Sequence, residues 1–292
     1  MKNLEVNKTV KFALLIEYDG NNLIGWQKQN EGISVQGSLE EAAKNIFNQE
    51  FEIQGSGRTD AGVHALGQVA HINLPKNHKL TTKHPFYIIS AFNSHLRKSN
   101  IRVVSTKQVE PDFNARFSAI KRHYKYRILC RAAPPGIENG KVWHSRKKLN
   151  IRLMEEGAKH LIGKHDFTSF RTINCQAKSP IRTLNKISLS CVGDEIIINI
   201  SAKSFLHSQV RIIVGTIYKV GDETLEPYEI KNILEGKDRN LSGPTAPAEG
   251  LYLEKVEYPN DLLDDNWPII YDSNKFNYCL LYTSPSPRDS FR

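Results

Sequence analysis

The chain has 292 residues, enough for two domains or for one domain built in two halves. Hydrophobic residues make up 39% and charged residues 24%, which excludes a disordered or fibrous chain and gives a core that needs no disulfide or metal staple. Forty Lys and Arg against 31 Asp and Glu leave a formal charge of +9, which suits either a polyanionic partner or a soluble protein that is simply basic.

The first apolar stretch, KFALLIEY at 11–18, is closed by Glu17, Tyr18 and Asp19 and has no small-residue cleavage site after it. It reads as a strand ending in the Asp19-Gly20 turn, not as a signal peptide. From Ser34, apolar Val35, Leu39, Ala42, Ala43 and Ile46 keep a helical period, with Ser34 or Ser38 as the cap. A glycine-hinged loop, GSGRTDAG, leads into LGQVAHINL at 66–74. That strand places Leu66, Gln68, Ala70, Ile72 and Leu74 on a buried face, and its other face is not cleanly polar. A helix is expected over 81–97, with Pro85 tolerable only in its first turn, and a strand over 101–109.

Residues 110–131 end in a strand that puts Tyr124, Tyr126 and Ile128 on one face. AAPPG at 132–136 is the sharpest break and the expected domain seam. A basic patch follows at 144–152, then a helical LMEEGAKHLIG. IRTLNKISLSCV and DEIIINISAK, joined at Gly193, read as a hairpin. A helix apolar nearly all round is expected over 205–221, and a short one at PYEIKNILEG. The elements mix helices with mostly antiparallel strands, so the class is α+β and not a doubly wound sheet. The expected division is an N-terminal α+β half over 1–110, a connecting strand and basic linker over 111–150, and a C-terminal α+β half over 151–260. The Ser- and Pro-rich tail, 261–292, has no periodicity and is expected to lie outside the fold.

No apolar run approaches the roughly 18 residues of a membrane helix. Cys130, Cys175, Cys191 and Cys279 are scattered, with no CxxC pair and no zinc-ligand spacing. They read as reduced core thiols of a cytoplasmic protein.

The stretch GSGRTDAGVHALGQVAH at 55–71 carries the chemistry question. Its glycines fit a tight structural turn, with Asp60 as turn-former or cap. They also fit a phosphate cradle, although the GxxxxGK[ST] pattern is missing. The third reading is catalysis, with Asp60 presented to a cleft and Arg58 beside it. The 205–221 helix adds weight to that reading. Arg211 sits in its apolar middle, one turn after His207, and a buried guanidinium needs an anion unless it snorkels to the surface. Asp60 is the natural partner. Arg116, Lys121, Arg122, Lys125 and Arg127 interleave with Phe117, His123, Tyr124 and Tyr126, a composition that suits an RNA groove. His64, His71 and His207 read as loop and core histidines without catalytic work.

Six stretches, in order, resemble the tRNA pseudouridine synthase A family: YDGNNLIGWQKQ (18–29), SVQGSLEEA (34–42), GSGRTDAGVHALGQVAH (55–71), DFNARFSAIKRHYKYRI (112–128), FLHSQVRIIVGT (205–216) and PAEGLYL (247–253). The resemblance runs from about Lys11 to Tyr258. It implies the pseudouridine synthase fold, two similar halves of mostly antiparallel sheet flanked by helices about a central cleft. It implies an isomerase that converts uridine to pseudouridine at tRNA positions 38, 39 and 40, in the anticodon stem and loop, without metal or cofactor. Asp60 would be the catalytic carboxylate. Tyr124 would contact the target uridine, Arg211 would hold Asp60, and Arg58 would fill the space left by the extruded base or hold a phosphate. The family further implies a homodimer with one tRNA held across both subunits. A non-catalytic RNA binder would need the basic surface but not Asp60. A glycosidase would need a second carboxylate, and the matched motifs offer none beside Asp60.

Overall fold

A computed structural model of the chain describes residues 9–173, 175–263 and 267. The N-terminal stretch forms β1 (Thr9–Tyr18), α1 (Val35–Phe47), β2 (Gln54–Gly55), β3 (His64–Pro75), α2 (Phe86–His95) and β4 (Ile101–Val109). Then come β5 (Lys121–Cys130), β6 (Trp143–Ser145), α3 (Ile151–Lys159), β7 (Gly163–Asp166), β8 (Ile181–Val192), β9 (Glu195–Ala202), α4 (Gln209–Gly221) and α5 (Glu229–Gly236). The last strand among the described residues is β10 (Leu251–Glu257).

These strands make one mostly antiparallel sheet in the order β4-β1-β3-β10-β5-β9-β8-β7, with β2 on β3 and β6 on β5. The fold is therefore α+β, as the pattern of elements predicts. β10, a strand the sequence reading did not anticipate, joins the two sides. It pairs parallel with β3, Tyr252 opposite His64, and antiparallel with β5, Leu253 opposite Tyr124. The single sheet thus runs through the middle of the molecule, and β5 lies at its centre, between β10 and β9. Two residues at the start of the expected tail, Leu263 and Trp267, are buried in the core. The rest of that tail, like Cys279, lies outside the described residues.

Local sequence explains most element ends. Ser34 Oγ accepts from the Gly37 N–H at 3.1 Å and starts α1, and Asn48 ends it in the left-handed conformation at φ 55. The buried face of α1 is Val35, Leu39, Ala42 and Ala43, the i, i+4, i+7, i+8 stripe. In β5, Tyr124, Tyr126 and Ile128 are buried together while Lys125 and Arg127 alternate to the other face. Expected helix 81–97 is shorter, because Pro85 caps α2 and residues before it turn, with Thr81 Oγ1 donating to Pro75 O at 2.7 Å. In β3 both faces are largely buried, but Leu66, placed by its alternation on the inner face, is 49% exposed. Next to it Gly67 lies directly on the β10 backbone, where a Cβ would stand 2.4 Å from Glu254 O.

The largest departure is at α4. Helix was expected from Phe205, yet it begins at Gln209. Ser208 adopts the left-handed conformation at φ 56, and Gln209 Oε1 accepts from the Leu206 N–H at 2.8 Å. This breaks the chain out of helix just before residue 209. Arg211 consequently stands in the first turn rather than the middle, and His207 and Ser208 belong to a loop.

His71, on β3, is buried, and burial pushes its imidazole down to about 4. Its Nδ1 accepts from the Ala115 N–H at 3.2 Å, so the neutral ring is the folded form. The unfolded ring takes up a proton below about 6.5. Its contribution is therefore complete above that pH and declines as pH falls from there toward 4, where the folded ring titrates. Wild type should melt well above His71→Gln at pH 7.5, and the gap should narrow as pH falls toward 4. A gap that is constant with pH would show that His71 binds its proton equally well folded and unfolded, so that burial does not shift it.

Candidate active site

The 55–63 loop is fixed from three sides. The Ser56 N–H donates to Val69 O at 2.7 Å, and Ser56 Oγ to Gln68 Oε1 at 2.6 Å. Gln68 Nε2 in turn holds Gly57 O at 2.9 Å. The Trp26 N–H donates to Thr59 O at 3.1 Å, and Tyr18 Oη lies 2.8 Å from Thr59 Oγ1. The chain at Gly25 passes so close that a Cβ would stand 2.5 Å from Thr59 O, and its φ of +104 suits glycine. The YDGNNLIGWQKQ stretch is thus the cradle of the loop.

Asp60 emerges from this cradle toward α4. Its Oδ2 accepts from Arg211 Nη1 at 3.0 Å and from Ser208 Oγ at 2.8 Å. Its Oδ1 carries neither bond and lies 3.5 Å from His207 Nε2. One oxygen is anchored and the other is left open. Arg211 does not snorkel: its side chain is 18% exposed, and its Nε donates to Ala246 O at 2.8 Å. The left-handed turn at Ser208 is what directs that hydroxyl to the carboxylate, since Ser208 does not cap α4 with its side chain. Ser208 was missed in the sequence. The available signal was its position three residues before Arg211, on the same side as the expected ion pair.

Tyr124, on β5, is buried, and its ring meets Phe205 edge-on at 5.2 Å. Burial raises its phenol well above the ordinary range, with smaller contributions from Tyr18 and Asp60. Tyr18 is pushed up to about 12 by burial. Arg58 is exposed on the same loop and forms no ion pair among the described residues. The structure therefore brings Asp60 and Arg211 into contact, sets Tyr124 nearby, and leaves Arg58 at the surface.

The basic and aromatic stretch at 115–127 is less available than its composition suggests. Lys125 pairs with Glu254, Lys121 with Glu257 at 3.4 Å, and Arg127 with Glu195 and Glu138. Arg122 is buried without an acidic partner among the described residues. Its guanidinium donates to Ser56 O at 2.6 Å, Arg116 O at 2.7 Å and Lys203 O. It ties the Asp60 loop to the end of β9, which leads into His207 and Ser208. Of its basic residues Arg116 alone stays exposed, over the ring of the equally exposed Phe117 at 5.6 Å.

The sequence that builds this site has clear counterparts. The tRNA pseudouridine synthase family model matches residues 14–118 and 158–259. A tRNA pseudouridine synthase A from Rhodospirillum rubrum is 46% identical over 252 residues, covering 86% of this chain and 89% of that protein. One from Parvibaculum lavamentivorans is 47% identical over 248 residues, covering 85% of this chain and 99% of that protein. The matched segments supply both sides of the contact, Asp60 from the first and Ser208 and Arg211 from the second, and on this footing the chain belongs to the tRNA pseudouridine synthase family.

Proposed function

We propose that the chain isomerises uridine to pseudouridine at positions 38, 39 and 40 of tRNA, with Asp60 as the carboxylate that carries the reaction. The observation behind this reading is the asymmetric hold on Asp60: Arg211 and Ser208 fix Oδ2 and leave Oδ1 open. The bond from N1 of the base to the ribose breaks, the base turns, and C5 takes the ribose carbon. The C5 proton is lost and N1 gains one, so atoms and electrons balance without an oxidant or a hydrolytic water. Asp60 serves either as nucleophile toward ribose or base, or as the base that removes a ribose proton.

A stacked uridine must first be extruded, at about a few kcal/mol. Arg58, exposed and without an ion-pair partner among the described residues, then fills the vacated stack or holds a neighbouring phosphate. Tyr124 provides a ring for the flipped base. Stacking of that kind is worth about 1–3 kcal/mol. Accordingly, Tyr124→Leu should lower kcat/KM by about tenfold or more, and Tyr124→Phe should keep most of it. Equal loss in both variants would move the role from ring to hydroxyl.

The protein is further proposed to work in the cytoplasm as a homodimer; light scattering at twice the mass of one chain would support the dimer. Among the described residues no helix is long and apolar enough to cross a membrane. The reading as a whole is tested by tritium release from tRNA labelled at uridine C5. Wild type should release tritium and form pseudouridine. Free uracil as the product would make the protein a glycosidase instead.

A further inference from the structure

A groove of about 480 Å³ opens beside the active site, lined among others by Thr172, Arg239, Asn240, Ser242, Pro244 and Thr245. Both of its walls run into the Asp60 contact. Thr172 Oγ1 is 2.8 Å from His207 Nδ1, and His207 Nε2 is 3.5 Å from Asp60 Oδ1. On the other side Thr245 precedes Ala246, whose carbonyl accepts from Arg211 Nε at 2.8 Å and whose N–H donates to Arg211 O at 3.1 Å.

The polar part of the lining is hydroxyl, amide and guanidinium, set beside Ile173, Gly243 and Pro244, and it holds no carboxylate. Arg239 is the charge in it. Its Nη1 donates to Ser242 Oγ at 2.8 Å and Gly243 O at 3.0 Å, and its Nη2 to Thr245 Oγ1 at 3.2 Å. All three acceptors are neutral. A guanidinium has five N–H donors. The Nε–H and one Nη2–H have no acceptor among the described residues, and these two nitrogens belong to one edge of the fork. Partial burial lowers the affinity of Arg239 for its proton, and no acid among the described residues offsets that cost. An arginine held still by neutral acceptors, with one edge of its fork unused, is built for an anion with two oxygens in a plane.

We propose that this groove is a subsite for the RNA strand next to the target uridine, with Arg239 holding one phosphodiester through its free edge. The inference rests on the tRNA reading above and adds a second anchor to it. An anchor on the flanking backbone would fix the strand while the target base leaves the stack, so that extrusion does not loosen the complex.

The test is binding of an anticodon stem-loop RNA to Asp60→Asn protein across a salt series, with and without Arg239→Gln. Losing one phosphate contact should reduce the slope of log affinity against log salt by about 0.7–0.9 and weaken binding by about tenfold at low salt. A methylphosphonate scan of the RNA should find one position beside the target where neutralisation weakens the Asp60→Asn protein but not the double variant. Arg239→Lys, which keeps the charge and loses the fork, replaces Arg239→Gln if the latter does not fold, and should give an intermediate loss. Unchanged slope and affinity, with no methylphosphonate position that couples to residue 239, would overturn the subsite. Absence of tritium release from wild type with that coupling intact would overturn the functional reading and leave the subsite standing.

Discussion

Asp60→Asn should reduce tritium release by on the order of 10⁴ or more, since it removes the one group proposed to react. Binding of tRNA should stay within about threefold, because affinity comes mainly from phosphate contacts. The side chain keeps its size, and the amide oxygen can still accept from Ser208 Oγ and Arg211 Nη1, so the loop has little reason to move. The variant loses the anionic oxygen at the open position near His207 and little else. Single-turnover assays at saturating enzyme separate the two quantities. Turnover within tenfold of wild type would remove Asp60 from the chemistry. A parallel collapse of binding would assign it to the architecture of the loop.

Gly215→Ala should lower stability by about 3 kcal/mol or more. Gly215 lies on the face of α4 that meets the chain at 243–246, where a Cβ would stand 1.8 Å from Pro244 O and 2.9 Å from Pro244 C. Both obstacles are backbone and cannot swing aside as a side-chain tip would. The intrinsic gain of alanine over glycine in a helix is about 1 kcal/mol and is outweighed. The melting temperature should fall by roughly 6–12 °C for a chain of this size. Activity should suffer beyond the loss of folded protein, because Ala246 follows Pro244 by two residues and its carbonyl holds Arg211 Nε. An unchanged or raised melting temperature would mean that α4 can shift away from the 243–246 segment without loss.

The Asp60 contact was legible because two local oddities pointed at each other. Arg211 had no reason to sit in so apolar a segment, and Asp60 had no obvious structural duty in its loop. Long-range pairing is otherwise invisible in one sequence, but an unpaired charge advertises its need. Ser208 was hidden for a different reason. Its role depends on a single left-handed residue that ends the helical period early, and a serine in HSQVR satisfies helical spacing equally well. The charges at 121–127 show the limit of composition. Composition marks them as an RNA-binding face, while cross-strand register gives Lys121, Lys125 and Arg127 acidic partners on β9, β10 and the 131–142 segment. β10 escaped notice because Leu251, Tyr252 and Leu253 are buried in succession, and a strand covered on both faces shows no alternation. Strands β2, β6 and β7 are two to four residues long, too short to show any period.

The position of β10 also has a consequence for how the protein is made. This segment leaves the ribosome after every other strand among the described residues, yet it takes the middle seat. Until it emerges, β3 and β5 each present an unsatisfied backbone edge, the kind of edge that recruits other chains. Nascent or prematurely terminated chains lacking residues 251–257 therefore carry two sticky flanks, and they should depend on chaperones where the finished protein does not.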